Sequence, residues 1–393
     1  MRAEAVIGAN YGDEGKGLFT DWLCANRPNP IVVMANGGSQ RGHTVELKDG
    51  KRHVFHHFGA GTFRGASTYF AKTFLLNPMQ FVKEHEELKK LGYVPFSCRD
   101  PRCIIQLPCD IALNWHIEKS RGDSKHGSVG CGIWETKYRM YNGDSCTLDA
   151  FCEMTYDGKV NYIKHQARKY RDLRCTEEGF DNHADIYDLF MSSGFIDHFI
   201  ADCMTMRQLC KGILIDEMHK SFDDVTLVFE NGQGLKLDQF YGAADEANTT
   251  PSFTGSIGIA KFLNDDCSKI AMSDVTLNYI SRTYLTKHGA GKFTEESAFG
   301  SDKFSFYDET NVDNEWQDSL RFAKLDVPAL IQRCVRDCNM MKQLLMSKTA
   351  VKMNLVMTHA NEIDVPDSIG QCASFDSIFM STARNSDDIF IND

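Results

Sequence analysis

No apolar run in the 393 residues approaches the roughly 18–20 needed to cross a bilayer. No signal-peptide pattern precedes the first strand-like run, so a cytoplasmic chain is expected. Basic charge is scarce: 43 Lys and Arg stand against 54 Asp and Glu, a net charge of −11. That balance argues against broad binding to nucleic acid or to anionic membranes, while leaving room for a local basic pocket. The fourteen cysteines include no C-x-x-C pair. Cys334 and Cys338 lie four apart on an expected helix, a spacing that favours packing over metal ligation, and reduced, buried thiols are expected. There is no internal repeat, low-complexity tract or clear linker, and the Walker A spacing G-x-x-x-x-G-K-[ST] is absent.

What is present is a chain long enough for a large core, with ordinary hydrophobic (42%) and charged (25%) content. Near its start, Ala5–Gly8 reads as a buried strand, Gly12-Asp13-Glu14-Gly15-Lys16-Gly17 as a turn, and residues 18–23 as a helix. Strand, glycine-rich turn and helix make a phosphate cradle. Glycines let backbone N–H groups approach the anion, and the helix N-terminus adds its positive dipole end. Lys16 adds a mobile charge, and Asp13 places a carboxylate where a metal or a proton must accompany it. A glycine turn that merely closes a βα unit would carry the same letters.

A second buried strand, Ile31–Ala35, leads to another glycine-rich turn, Gly37–Thr44. Asp49-Gly50 between residues 45–47 and 52–58 is a hairpin signal. Asn77-Pro78 opens a helix. A strand is expected over 103–107, a glycine loop over 122–134, and mostly helix over 147–220, read as an insertion. Later strands are expected at 225–230, 281–287 and 351–357, with helices over 256–263 and 327–346. The alternation predicts one α/β domain over residues 1–393, with a mostly parallel central sheet flanked by helices. Ligands in such sheets sit beyond the carboxyl ends of the strands.

These turns together resemble the adenylosuccinate synthetase family. Gly12–Gly17 matches the family's phosphate loop without a change, and Gly37–Thr44 its second loop, G-G-H-N-A-G-H-T. Residues 127–133 match G-T-T-G-R-G-I, residues 230–238 resemble E-G-A-Q-G-T-L-L-D, and residues 286–293 resemble T-R-V-G-A-G-P-F. The resemblance implies a magnesium-dependent ligase and a homodimer. A nucleoside triphosphate phosphorylates the 6-oxo group of a purine nucleoside monophosphate, and an amino-acid amine, aspartate in the family, displaces the phosphate. It implies Asp13 as general base and magnesium ligand, His43 as general acid, and Lys16 as charge neutraliser, the logic of acid–base-assisted phosphoryl transfer. It further implies Gly42 as the second magnesium ligand. Gly12, Glu14, Gly15, Gly17 and Thr44 fall in the nucleotide-binding loops. Gln40, Ser128, Val129, Gln233 and Thr249 match the monophosphate site, and Arg139 is the nearest counterpart of an arginine lent across the dimer.

The chain also departs from the family. Where the family holds aspartate with threonines and arginines, residues 307–316 carry Thr310, four carboxylates and no arginine. Like charges repel a dicarboxylate, so the donor is expected to be bound differently, through Arg41 or Arg321, or not to be aspartate. Cys131 replaces a loop arginine. The family's guanine-reading T-K-L-D stretch is Thr358-His359-Ala360-Asn361 here. Asparagine both donates and accepts, which suits adenine, so ATP or dATP is expected over GTP. Phage synthetases that make 2-aminoadenylosuccinate from dGMP share the compactness and the lost guanine reader; a viral source would place the chain in the host cytoplasm. That group tends to carry a small residue in place of the base aspartate, whereas Asp13 is kept here, so IMP and (d)GMP both stay open. The competing readings are a nucleotide-binding or sensing protein on an inactive synthetase scaffold, and a nucleotide kinase or hydrolase.

Overall fold

A computed structural model describes residues 1–181, 185–221, 223–241, 251–289, 293, 296, 320–346, 349–363, 365, 369 and 372–392. Its centre is a ten-stranded sheet. In chain order the sheet strands are β1 (Arg2–Gly8), β2 (Pro30–Met34), β5 (Ser67–Phe70), β6 (Ser97–Arg99), β7 (Cys210–Gly212), β8 (Thr226–Gly234), β9 (Asp274–Arg282), β12 (Ala350–Thr358), β13 (Ser377–Ser381) and β14 (Ile389–Ile391). They lie in the order β14-β13-β12-β9-β1-β8-β2-β5-β6-β7, all parallel except the antiparallel edge strand β14. Two antiparallel pairs stand apart: the hairpin of β3 (His43–Glu46) with β4 (Arg52–Phe55), and β10 (Tyr284–Lys287) with β11 (Arg321–Lys324).

Period-two alternation divides the core between the two faces of the sheet. In β1, Ala3, Ala5 and Ile7 point into one apolar cluster, with Ile31, Val33 and Phe229 beside them. Val6 points into the other, with Val32 and Val228. The first face is covered by α10 (Ser256–Asp266) and α11 (Val327–Leu344), the second by α1 (Lys16–Asn26) and the helical region.

That helical region comprises α3 (Pro108–Arg121), α4 (Ile133–Tyr141), α5 (Leu148–Glu153), α6 (Tyr156–Glu178), α7 (Asp185–Phe190), α8 (Ser193–Leu209) and α9 (Ile215–Met218). Residues 147–220 are mostly helical, as the composition predicts, but they also return β7 to the edge of the main sheet. The helix α2 (Pro78–Lys90) begins where Asn77-Pro78 places it, with the Asn77 side chain accepting from Gln80 N at 3.1 Å.

Two expected strands differ. Residues 103–107 form only isolated bridges, Ile104 to Thr147 and Ile105 to Leu76, because Pro108 opens α3 at once. The strand expected over 281–287 is two: β9 ends at Arg282, and after Thr283 the chain leaves the sheet as β10. All fourteen cysteines are free thiols, and all but Cys131 and Cys372 are buried. No helix among the described residues is long and apolar enough to cross a membrane.

Candidate active site

The first turn leaves the carboxyl end of β1 and enters α1. Asp13 sits in the left-handed region (φ 55°), and Arg282, at the end of β9, donates from Nε to its carbonyl oxygen at 2.5 Å. This holds a conformation that a non-glycine residue rarely adopts. The Asp13 carboxylate remains one-third exposed, and His288 Nε2 approaches it at 3.7 Å. Glu14 turns inward: Asn10 N donates to its Oε1 at 2.7 Å, and burial pushes its carboxyl up to about 7. It therefore braces the turn from within rather than facing a phosphate. Lys16, the first residue of α1, is buried; burial lowers its ammonium below the ordinary value, with Glu14 and Asp13 opposing.

The second turn closes against the first. A Cβ on Gly17 would come within 3.0 Å of His43 Cβ and of the Thr44 carbonyl, so the start of β3 packs directly on the start of α1. His43 Nδ1 lies 2.6 Å from Glu230 Oε1, and Glu230 Oε2 accepts from Ala60 N at 2.9 Å. Both side chains are buried. Burial pushes the His43 ring below its ordinary value, and the Glu230 carboxylate pulls it back. With Nδ1–H fixed on a carboxylate, Nε2 is the atom left to exchange a proton with a substrate. Glu230 was legible only as part of a motif; its role follows from β8 ending beside β2, which places it under the second turn.

Several expected site residues serve the turns themselves. Arg41 is buried, its guanidinium donating to the carbonyls of Glu230 (2.6 Å) and Asn36 (2.5 Å) and lying over Phe74; burial holds it down at about 10. It points into the protein, not toward a donor carboxylate. Gln40 Oε1 accepts from Gly38 N at 2.6 Å. Gly42 and Thr44 flank His43 at the start of β3, Thr44 pairing across the hairpin with Val54. In the third loop, Ser128 Oγ donates to Asn114 Oδ1 at 3.0 Å and Val129 is exposed. Arg139 is fully buried, with Nη2 2.9 Å from both Asp110 Oδ2 and the Ile105 carbonyl. It ties α3 to α4 from within the protein. Gln233, also left-handed (φ 66°), lies against Gly12, and its Oε1 accepts from Ser252 Oγ at 2.6 Å.

The last strand meets the first turn. Thr358 Oγ1 donates to the Glu14 carbonyl at 2.9 Å, and a Cβ on Gly15 (φ 91°) would fall 2.9 Å from Thr358 Cγ2. Asn361 is exposed on the turn that follows Thr358. That turn is wired back: His359 Nδ1 lies 2.9 Å from Glu362 Oε1, Tyr284 OH donates to Glu362 Oε2 at 2.6 Å, and Arg282 Nη1 donates to Tyr284 OH at 3.1 Å.

Two positions from the first turn's aspartate, Tyr11 is flanked by cations, Lys236 Nζ at 4.5 Å and Lys287 Nζ at 5.2 Å from its ring centre. Phe293 packs edge-on against Tyr11, and Arg321 lies over Phe293 while pairing with Glu296 at 2.5 Å. Thr249, Thr310 and the acidic stretch 307–316 lie outside the described residues. Among the described residues no three His, Cys, Asp or Glu side chains cluster as a metal cage.

Residues 5–377 match the sequence profile of the adenylosuccinate synthetase family. The chain belongs to that family. It is 27% identical over 314 residues to an adenylosuccinate synthetase of Blochmanniella pennsylvanica, covering 75% of this chain and 65% of the relative. It is 29% identical over 308 residues to adenylosuccinate synthetase 2 of Chromobacterium violaceum, covering 74% and 64%. The match thus spans about 65% of the length of these relatives. In structure the fold resembles the fully ligated synthetase of Plasmodium falciparum (TM-score 0.65, 17% identity, 92% of this chain and 77% of the other). It also resembles the cyanophage S-2L succinoaminodeoxyadenylate synthetase PurZ, bound to dGMP and dATP (TM-score 0.59, 12% identity, 99% and 95%).

Proposed function

We propose that the chain is a ligase that phosphorylates the 6-oxo group of a purine nucleoside monophosphate with a nucleoside triphosphate, then exchanges that phosphate for an amino-acid amine. The observation that carries this reading is the buried His43–Glu230 pair packed on Gly17, four residues beyond Asp13. A binding protein needs no imidazole backed by a carboxylate at its phosphate turn. In the proposed step Asp13 removes the purine N1 proton, the 6-oxygen attacks the γ-phosphorus, and His43 Nε2 donates to the developing charge on the triphosphate. Lys16 and the loop amides neutralise charge as it moves.

Magnesium fits the donor set: the half-open Asp13 carboxylate and the Gly42 carbonyl supply two oxygens, and magnesium ordinarily takes few protein ligands, the rest being phosphate oxygen and water. Bound there, it neutralises the triphosphate. Asn361, on the exposed turn after the strand whose Thr358 meets the phosphate loop, supports adenine as the triphosphate base, in keeping with the dATP bound by the phage enzyme.

The monophosphate is IMP or (d)GMP. The near-complete overlap in length with the phage enzyme supports (d)GMP, and the retained Asp13 supports IMP. The donor is an amino acid; aspartate is the family's donor, and the four carboxylates of residues 307–316 support a donor bound differently or one other than aspartate. A homodimer is proposed from the family alone. Mass spectrometry of products from IMP, GMP and their deoxy forms, each with ATP or GTP and mixed amino acids, tests the reading. Phosphate release that needs both a monophosphate and an amine is expected; release without the amine would identify a kinase or hydrolase.

A further inference from the structure

Away from the glycine turns, the carboxyl ends of the edge strands β6 and β7 border a cavity of about 580 Å3. Arg99 ends β6 and Gly212 ends β7; with Asp149 and Glu153 of α5, Arg207 of α8 and Lys211, they line it. None of the five side chains among them takes part in the hydrogen bonds of the crevice described above. Arg99 is 1% exposed, yet only its Nη2 is paired, donating to Asp149 Oδ1 at 2.6 Å. Its Nε and Nη1 have no hydrogen-bond partner. A buried guanidinium with two orphaned nitrogens is rare in folded proteins and marks a place where water or an ion belongs. Gly212 lies against this guanidinium: a Cβ there would come within 3.2 Å of Arg99 Nη1. Arg207 reaches Asp149 at 3.2 Å and Glu153 at 3.1 Å, whereas Lys211 has no carboxylate partner among the described residues. Three cations thus face two carboxylates.

We propose that this cavity binds a small dianion, phosphoryl or dicarboxylate, with Arg99 and Arg207 as guanidinium donors and Lys211 as a point charge. Guanidinium pairs match such oxygens in geometry, and an ammonium adds charge without direction. The volume lies within the range of small-molecule sites, and the position follows the rule that α/β sheets bind ligands at strand carboxyl ends.

Titration calorimetry on the full chain tests it, with Lys16→Ala in the background so that the glycine turns compete little for anions. Inorganic phosphate and succinate are the two probes. One saturable site is expected for at least one of them; which probe binds names the ligand class. Lys211→Glu, at an exposed position, is expected to weaken that site about tenfold or more, the effect of one charge-assisted contact. Arg99→Met is expected to remove it, with its circular dichroism checked against the parent. No saturable binding of either probe, or equal binding by the parent and Lys211→Glu, overturns the proposal.

Discussion

His43 and Glu230 are 187 residues apart in the chain and 2.6 Å apart in the fold. Burial opposes a charged imidazole, and the carboxylate opposes burial. The balance sets how readily Nε2 carries a proton to a phosphate oxygen. Replacing Glu230 by Gln keeps the shape and removes the charge, so the ring pKa drops further. Because the rate requires the protonated ring, activity is expected to be lost at a lower pH as pH rises. The rate below that limit is expected to fall on the order of tenfold or more. A pH–kcat profile whose basic limb stays in place would reject this coupling.

Asp13→Ala removes the proposed base but not the loop amides or Lys16. Turnover should vanish while triphosphate binding measured without magnesium, where Asp13 supplies no metal contact, stays within a few-fold of the parent, as read by equilibrium binding beside phosphate release. Equal loss of both would make Asp13 a structural residue of the turn.

Asn361→Asp replaces an amide by an acceptor pair suited to guanine N1 and N2. The ratio of kcat/KM for GTP over ATP is expected to rise about tenfold or more, the worth of a hydrogen bond to a charged group. An unchanged ratio would place the base away from the turn after β12.

Glu14 predicts a pH dependence of stability. Its carboxyl is pushed up to about 7 in the folded state, above its ordinary 4.5. The folded chain therefore holds a proton that the unfolded chain has lost between those values, and stability falls as pH rises through that window. The integrated effect is about 3 kcal/mol, at 1.36 kcal/mol per unit. Glu14→Gln should flatten this slope in urea unfolding followed from pH 4.5 to 8; an identical slope in the variant would assign it to other groups.

Gly15→Ala tests the contact with β12. The new methyl meets Thr358 at a backbone angle that disfavours side chains. Weaker triphosphate binding is expected, partly restored by Thr358→Ser, which removes the Cγ2 methyl but keeps the hydroxyl. Failure of that second change to help would leave the φ angle as the whole cause.

The glycine turns, the Asp49-Gly50 hairpin and the Asn77-Pro78 cap were legible because local chemistry dictates each of them. Strand 274–282 was not, since Thr276, Asn278 and Ser281 interrupt its apolar letters. Distant partners answer some of these polar groups: Asn278 Nδ2 donates to Glu4 Oε2 at 2.9 Å, and Asn10 Nδ2 to Ser281 Oγ at 3.0 Å. The same limit applied to the site. Asp13, Lys16 and His43 announce themselves beside glycines, but the inward turn of Arg41 and Arg139 depends on which carbonyls and carboxylates the fold brings to them. A guanidinium in sequence carries no mark of whether it faces solvent, substrate or backbone.

Thr358 joins the Glu14 carbonyl across 344 residues. The phosphate turn is synthesised long before the strand that forms its far wall. Until Thr358 has been made, a growing chain carries the glycine signature without a closed cradle around it. Closing the cradle thus waits on β12 taking its place in the sheet, which ties the geometry of the phosphate turn to the folding of the whole β/α core.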